Sequence, residues 1–286
     1  MIKTSAVIVS RNDNYGGYLN ERASYCIQSS IDTYDEVIYV DWNSPTHSLL
    51  YDIQDNIKFR GNLKHIVIPP SVVPSLTNYD PDAAVCCEVL GRNIGIKRAT
   101  GDYIVSTNID IIAPKRDELK KIILTLEPET FYTFSRRNTN MPEIFNFHQS
   151  KFDYQEYSQL RDFLISENKE PLSAINDPYS LINCCGDYQI APRHIWDTIK
   201  GFEEELMYPM FADSNVHKKA IFYGYKIKAL FDLEFYHIDH GKGGAGFLDG
   251  INKKANDYHR AITYQQETTN PDTWGFSDIE IEYEIV

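Results

Sequence analysis

The chain has 286 residues, 42% hydrophobic and 24% charged, enough for one large α/β domain or two small ones with a substantial core. A formal net charge of -13 argues against nonspecific nucleic-acid binding, which needs clustered Lys and Arg. The N-terminal apolar stretch, residues 5–10, is too short for a signal peptide, and no run reaches the roughly 18 apolar residues of a membrane span.

The first third alternates short apolar runs with helical patterns. Residues 5–10 (SAVIVS) read as a buried strand, and Leu19, Ala23, Cys26 and Ile27 then recur at helical spacing. Residues 36–40 (EVIYV) form a second strand running into Asp41, and 63–68 (LKHIVI) a third, stopped by Pro69 and Pro70. A helix is expected over 83–99, ended by Thr100-Gly101-Asp102, with a strand at 103–106. That rhythm implies a mostly parallel sheet covered on both faces.

After Pro114 the pattern changes. Residues 118–126 are helical and 131–134 strand-like. The stretch 136–183 is polar and aromatic, with a helix carrying Tyr157, Leu160, Phe163 and Leu164 on one face. A strand at 188–191, helices at 192–199 and 213–223, and short strands at 226–230 and 235–237 follow. The acidic last twenty residues are expected to wrap the surface. With no repeat or linker, the chain reads as one domain of two lobes, 1–112 and 113–260, with a tail at 261–286.

The five cysteines, two pairs of them adjacent, fit neither a disulfide framework nor a zinc site. They read as reduced thiols of a cytoplasmic protein. Aromatics reach 13%, with 20 Tyr, whose apolar ring and polar tip suit a sugar-handling cleft. An acidic protein that binds an anionic small molecule must solve repulsion locally, and a divalent cation is the usual device.

In open parallel sheets, ligands bind beyond the carboxyl ends of the strands. There the sequence places Ser10 and Arg11, then Asp41, then Asn108-Ile109-Asp110. An oxygen ligand and a carboxylate two residues apart off a strand point to one side, which suits Mn2+ or Mg2+. The run 90–104, LGRNIGIKRATGDYI, leads straight into that element.

Over this run the chain resembles nucleotide-sugar glycosyltransferases of the GT-A fold, especially family 2, which carry "Arg-Asn-x-Gly…Ala-x-Gly-Asp-Tyr" feeding an Asp-x-Asp motif. Gly186-Asp187-Tyr188 and Lys200-Gly201-Phe202-Glu203-Glu204 resemble their later "Gly-Gly-Phe-Asp-Glu" segment. The resemblance covers residues 5–112 and, more loosely, 184–240. It implies a GT-A-type α/β sandwich with a central, mostly parallel mixed sheet, and transfer of a sugar from a UDP- or GDP-sugar to a hydroxyl of a glycan or other acceptor.

The resemblance also implies roles. Ser10, Arg11, Asp41, Arg92 and Asn108 would meet the nucleotide, with Asp41 and Arg11 at the base pocket. Asp110 and His237 would hold Mn2+ or Mg2+, with His240 the rival of His237. Asp213 would be the general base of an inverting transfer, with helix capping the competing role. Asn108 and Ala212 stand where the family has acids. Tyr154, Tyr157, Phe145, Phe147 and His148 are candidates for acceptor recognition, and the Gly-rich 241–246 for a flexible loop or lid. Two other readings share the motifs: a sugar nucleotidyltransferase, and a non-catalytic module of the same fold that binds a glycan or partner.

Overall fold

The computed structural model describes residues 2–76, 86–134, 136–140, 163–164, 166, 186–206, 212–240 and 267–286. The acceptor candidates at 145–157, the Gly-rich 241–246 and Cys184 and Cys185 lie outside them. Of the helix expected around 157–164, only Phe163 and Leu164 are described, with Leu164 fully buried.

The first half builds four parallel strands, β1 (Thr4–Ser10), β2 (Glu36–Trp42), β3 (Leu63–Ile68) and β4 (Tyr103–Asn108), in the order β3-β2-β1-β4. Helix α1 (Leu19–Thr33) joins β1 to β2, and the short α2 (Leu49–Ile53) follows β2. After β3 come α3 (Val73–Leu76) and α4 (Glu88–Arg98). The chain steps outward from β1 to β3 and then returns to β1's other side, so β1 and β4 flank the switch point, where Val9 pairs with Asn108.

The second half extends and caps this sheet. Beyond β4 lie β5 (Ile111–Ile112), α5 (Arg116–Ile123), β6 (Thr130–Phe134) and β7 (Arg137–Asn140). Next come β8 (Tyr188–Pro192), α6 (Arg193–Ile199), α7 (Ala212–Phe222), β9 (Lys226–Leu230) and β10 (Tyr236–Asp239). β8 inserts antiparallel between β4 and β6, and β9 joins β6 in parallel. A strand β11 (Glu284–Ile285) adds antiparallel to β3, completing eight strands. β5, β10 and β7 form a separate three-stranded sheet.

Every residue of β1 and β2 is buried, as strands covered on both faces require. Ala6, Ile8 and Tyr39 pack with Leu19, Ala23 and Ile27 of α1 on one face. Val7, Val9, Ile38 and Val40 pack with Leu90 and Ile94 of α4 on the other.

The run 90–104 owes its residue types to this second face. Gly91 and Gly95 face the Val9 and Val7 side chains so closely that a β-carbon at either would overlap a valine methyl. Gly101 donates its N–H to Ser5 Oγ at 2.8 Å, and Asp102 Oδ2 accepts the Lys3 N–H at 2.8 Å, stapling the turn after α4 to the start of β1.

The tail runs over the surface with most of its residues exposed, and a few buried points pin it there. Trp274 is buried in the core under α4, and Arg98 donates to the carbonyls of Gly275, Phe276 and Ile279. Asn270, also buried, donates to the carbonyls of Lys200 and Phe202. These few side chains tie the segment down regardless of the charge around them.

The α4–β1 contact yields a test in which two effects oppose each other. Alanine raises helix propensity over glycine by about 1 kcal/mol. Overpacking against a rigid β-branched neighbour costs about 1–3 kcal/mol. Gly95→Ala is therefore expected to lower the free energy of unfolding, measured by denaturant titration; a more stable variant would show that α4 can lift away from Val7.

Candidate active site

Two groups of side chains meet at the C-terminal ends of β1 and β4. The first surrounds Asp110, which follows β4 and is only 5% exposed. His240 Nε2 lies 3.1 Å from its Oδ2, Arg22 Nη1 of α1 3.5 Å, and His237 Nε2 of β10 3.6 Å. One ligand atom each from Asp110, His237 and His240 can be chosen so that all lie within 4.8 Å of one another.

Burial alone would raise the Asp110 pKa, but hydrogen bonding and charge from the two histidines outweigh it and hold the carboxyl far below the usual range. Burial would lower the His237 pKa, and Asp110 reverses that, leaving it raised.

This cluster suits a divalent cation. Asp110 Oδ1 is buried without a hydrogen-bond partner, so the carboxylate has an acceptor to spare. His237 Nδ1 lies 3.0 Å from Asp239 Oδ1, an outer carboxylate that fixes the tautomer and turns the Nε2 lone pair inward. Both His237 and His240 reach Asp110, so the two are partners in one cluster. Gly16 and the Tyr15 ring wall off the far side of His240, with the Tyr15 and His240 ring centroids 4.8 Å apart.

The second group lines a pocket of about 100 Å³ formed by Glu88, Val89, Arg92, Asn108, Gly186, Asp187, Phe202, Ala212 and Asp213. Arg92 donates to Ser106 Oγ at 2.6 Å and to Asn108 Oδ1, and its guanidinium lies 5.5 Å from the centre of the Phe202 ring. Asn108 Nδ2 donates to Asp187 Oδ1 at 2.9 Å, and Asp187 pairs with Arg136. The Asp187 charge also bears on His237, so the two groups adjoin.

Asp213 sits in the first turn of α7, next to Asp187. Its Oδ2 accepts the Gly186 N–H and its Oδ1 the Ser214 N–H, both at 2.8 Å. Burial raises its pKa above the ordinary aspartate value despite those two donors, and Asp187 adds to the rise. It does serve the backbone, but with both oxygens, and one of them holds a loop that lines the pocket.

Asn93 explains the residue after Arg92. Its amide donates to the Phe202 carbonyl and accepts the Phe202 N–H, both at 2.8 Å, clamping α4 to the 201–204 turn. Gly201, at φ 63°, has no room for a side chain against Asn93 and Trp274.

Ser10 and Asp41 lie at neighbouring strand ends, paired in register. Ser10 Oγ is 2.6 Å from the Tyr39 hydroxyl, which donates to Asp41 Oδ2 at 3.4 Å. Asp41 is 0% exposed, and its Oδ2 also accepts the Leu49 N–H at 3.1 Å. Arg11 turns to the Asn43 carbonyl at 2.8 Å and to Asp13. Ser10 and Asp41 thus sit on the α1 face of the sheet, apart from Arg92 and Asn108 on the α4 face, and Asp41 is enclosed.

Sequence reasoning missed Arg22, Asp187 and Arg136. Asp187 had a readable signal. A strand antiparallel to β4 begins where β4 ends, so the residue before β8 must lie at the site. Arg22 had none.

No protein-family model matches the sequence, and no curated protein matches it. Solved structures do. The chain is similar to S. aureus TarS 1-349 in complex with UDP-GlcNAc, with TM-score 0.54 and 15% identity over 95% of this chain and 69% of that one. It is similar to the mannosyltransferase PcManGT from Pyrobaculum calidifontis in complex with GDP-Man and Mn2+, with TM-score 0.54 and 16% identity over 95% and 67%. The chain has the GT-A fold. At such identity the likeness establishes architecture, and the chemistry rests on the residues above. Among the described residues, no helix is long and apolar enough to cross a membrane.

Proposed function

We propose that the protein is a metal-dependent glycosyltransferase that moves a sugar from a nucleoside-diphosphate sugar to an acceptor hydroxyl with inversion. The observation that carries this reading is the convergence of Asp110, His237 and His240 beside a pocket lined by Asp213, at the switch point of a GT-A sheet. The neighbours TarS and PcManGT, solved with UDP-GlcNAc and with GDP-Man and Mn2+, support the donor class and the ion.

The Asp110 carboxylate, His237 and His240 would hold Mn2+ or Mg2+. When bound, the ion acts as a Lewis acid on the charge that grows on the departing diphosphate. The chain's own groups supply the rest. Arg92, held by Ser106 and Asn108, presents a fixed positive charge to the pocket. Asp213, with a pKa moved toward neutrality, takes the acceptor's proton as the acceptor oxygen attacks the anomeric carbon. The bond from that carbon to the phosphate oxygen breaks, and the diphosphate leaves with the electron pair. Ser10, Arg11 and Asp41 are assigned to the nucleoside end, where Asp41 needs its Tyr39 and Leu49 contacts to open before it meets a base. A single module of 1–286 with lobes 1–112 and 113–260 fits this division.

Asp110→Ala is expected to remove Mn2+-dependent transfer while its circular dichroism stays that of the wild type; a folded Ala variant with wild-type turnover contradicts the metal assignment. Asp213→Asn is expected to lose about 10²–10⁴ in turnover with little change in nucleotide affinity. Because the base works ionised, wild-type activity falls as pH drops through its pKa, placing the acidic limb above the ordinary aspartate value of about 3.9. Near-normal transfer in the Asn variant, or a product retaining the donor's anomeric configuration, refutes the base assignment.

A further inference from the structure

Arg22 is 0% exposed yet carries a charge that the transfer scheme does not use. Its Nε donates to the Gly17 carbonyl at 3.1 Å and its Nη2 to the Tyr15 carbonyl, while Nη1 lies 3.5 Å from Asp110 Oδ2 and has no hydrogen-bond partner. Two backbone carbonyls therefore fix the guanidinium in place. A guanidinium held this way keeps its charge beside Asp110.

Among the described residues, the charges around the proposed ion do not balance. Asp110 brings one negative charge and Arg22 cancels it. His237 and His240 ligate as neutral rings. Asn108, where GT-A relatives have an acid, adds none. Asp187 is already paired with Arg136, and Asp239 is half exposed, on the outer side of the His237 ring. A divalent ion arriving alone meets a ligand set whose one negative charge is already matched by Arg22, in surroundings that screen poorly. A nucleoside diphosphate brings the negative charges that are missing.

Building on the donor reading above, we propose that Arg22 is a fixed counter-cation that makes ion binding depend on the nucleotide. The free chain holds Mn2+ weakly, and the ion settles with the diphosphate. Arg22 is a positioning residue that acts through Asp110, and its effect is on affinity and binding order.

The test measures Mn2+ binding on the full chain by electron paramagnetic resonance of the unbound ion, with and without UDP or GDP. Variants are Arg22→Met and Arg22→Gln, which remove the charge, and Arg22→Lys, which keeps it. In the wild type, whichever nucleotide binds is expected to tighten Mn2+ about tenfold or more. Without nucleotide, the folded Met or Gln variant is expected to bind Mn2+ about tenfold more tightly than the wild type and to show less tightening on adding nucleotide. The Lys variant is expected to follow the wild type.

The assignment is overturned if free wild-type chain binds Mn2+ as tightly as the nucleotide-loaded one. It is also overturned if a folded neutral variant gains nothing, or if the Lys variant behaves as the neutral ones do. A chain that binds Mn2+ but neither nucleotide sinks the donor reading, while the nucleotide-free comparison of variants still decides what the Arg22 charge does.

Discussion

A buried carboxylate with few negative neighbours sets the terms for this site. Removing a carboxylate from water is costly unless positive or hydrogen-bonding groups surround it. Asp110 recruits them from elements far apart in the chain. Arg22 comes from α1, His237 from the penultimate strand, and His240 from just beyond it. All three approach Oδ2, and Oδ1 is buried without a hydrogen-bond partner. The cluster thus joins the two halves of the molecule, since β10 reaches Asp110 through its pairing with β5.

The pocket beside it depends on how closely α4 approaches the sheet. Gly91 and Gly95 bring the helix down on Val9 and Val7. That places Arg92 within reach of Ser106 and Asn108 on β4. Asn93 meets the 201–204 turn, and through it the segment that carries Asn270 and Trp274. One helix so relates the strand ends to the 201–204 turn and the tail. Within the motif the glycines set distance, Asn93 sets orientation, and Arg92 faces the pocket.

Much of this was legible in the sequence where a local rule was at work. The strand at 63–68 and the strand at 226–230 were read to the residue, because short alternating or apolar runs bounded by turn residues leave little freedom. Asn108 and Asp110 were read from their place after a strand, and His237 from motif resemblance. Arg22 was not legible, because a single arginine on an amphipathic helix looks like a solvated one, and only the fold shows that it points at Asp110. The surface course of the tail was legible in its acidic composition, but its anchors, Asn270, Trp274 and the carbonyls that Arg98 binds, were not. Asp41 was placed at the base pocket because it follows a strand. In the fold, the N-terminus of α2 and the Tyr39 hydroxyl close over it.

The central claim is that the Asp110 cluster supports sugar transfer from a nucleotide-activated donor. It is tested most directly by incubating the purified chain with a panel of UDP- and GDP-sugars and glycan acceptors, and measuring nucleotide release with Mn2+ and with EDTA. The account predicts acceptor-dependent release from a UDP- or GDP-sugar in Mn2+ that disappears in EDTA. Full release in EDTA, or nucleotide sugars left intact across the panel while Mn2+ binds at Asp110, would contradict it.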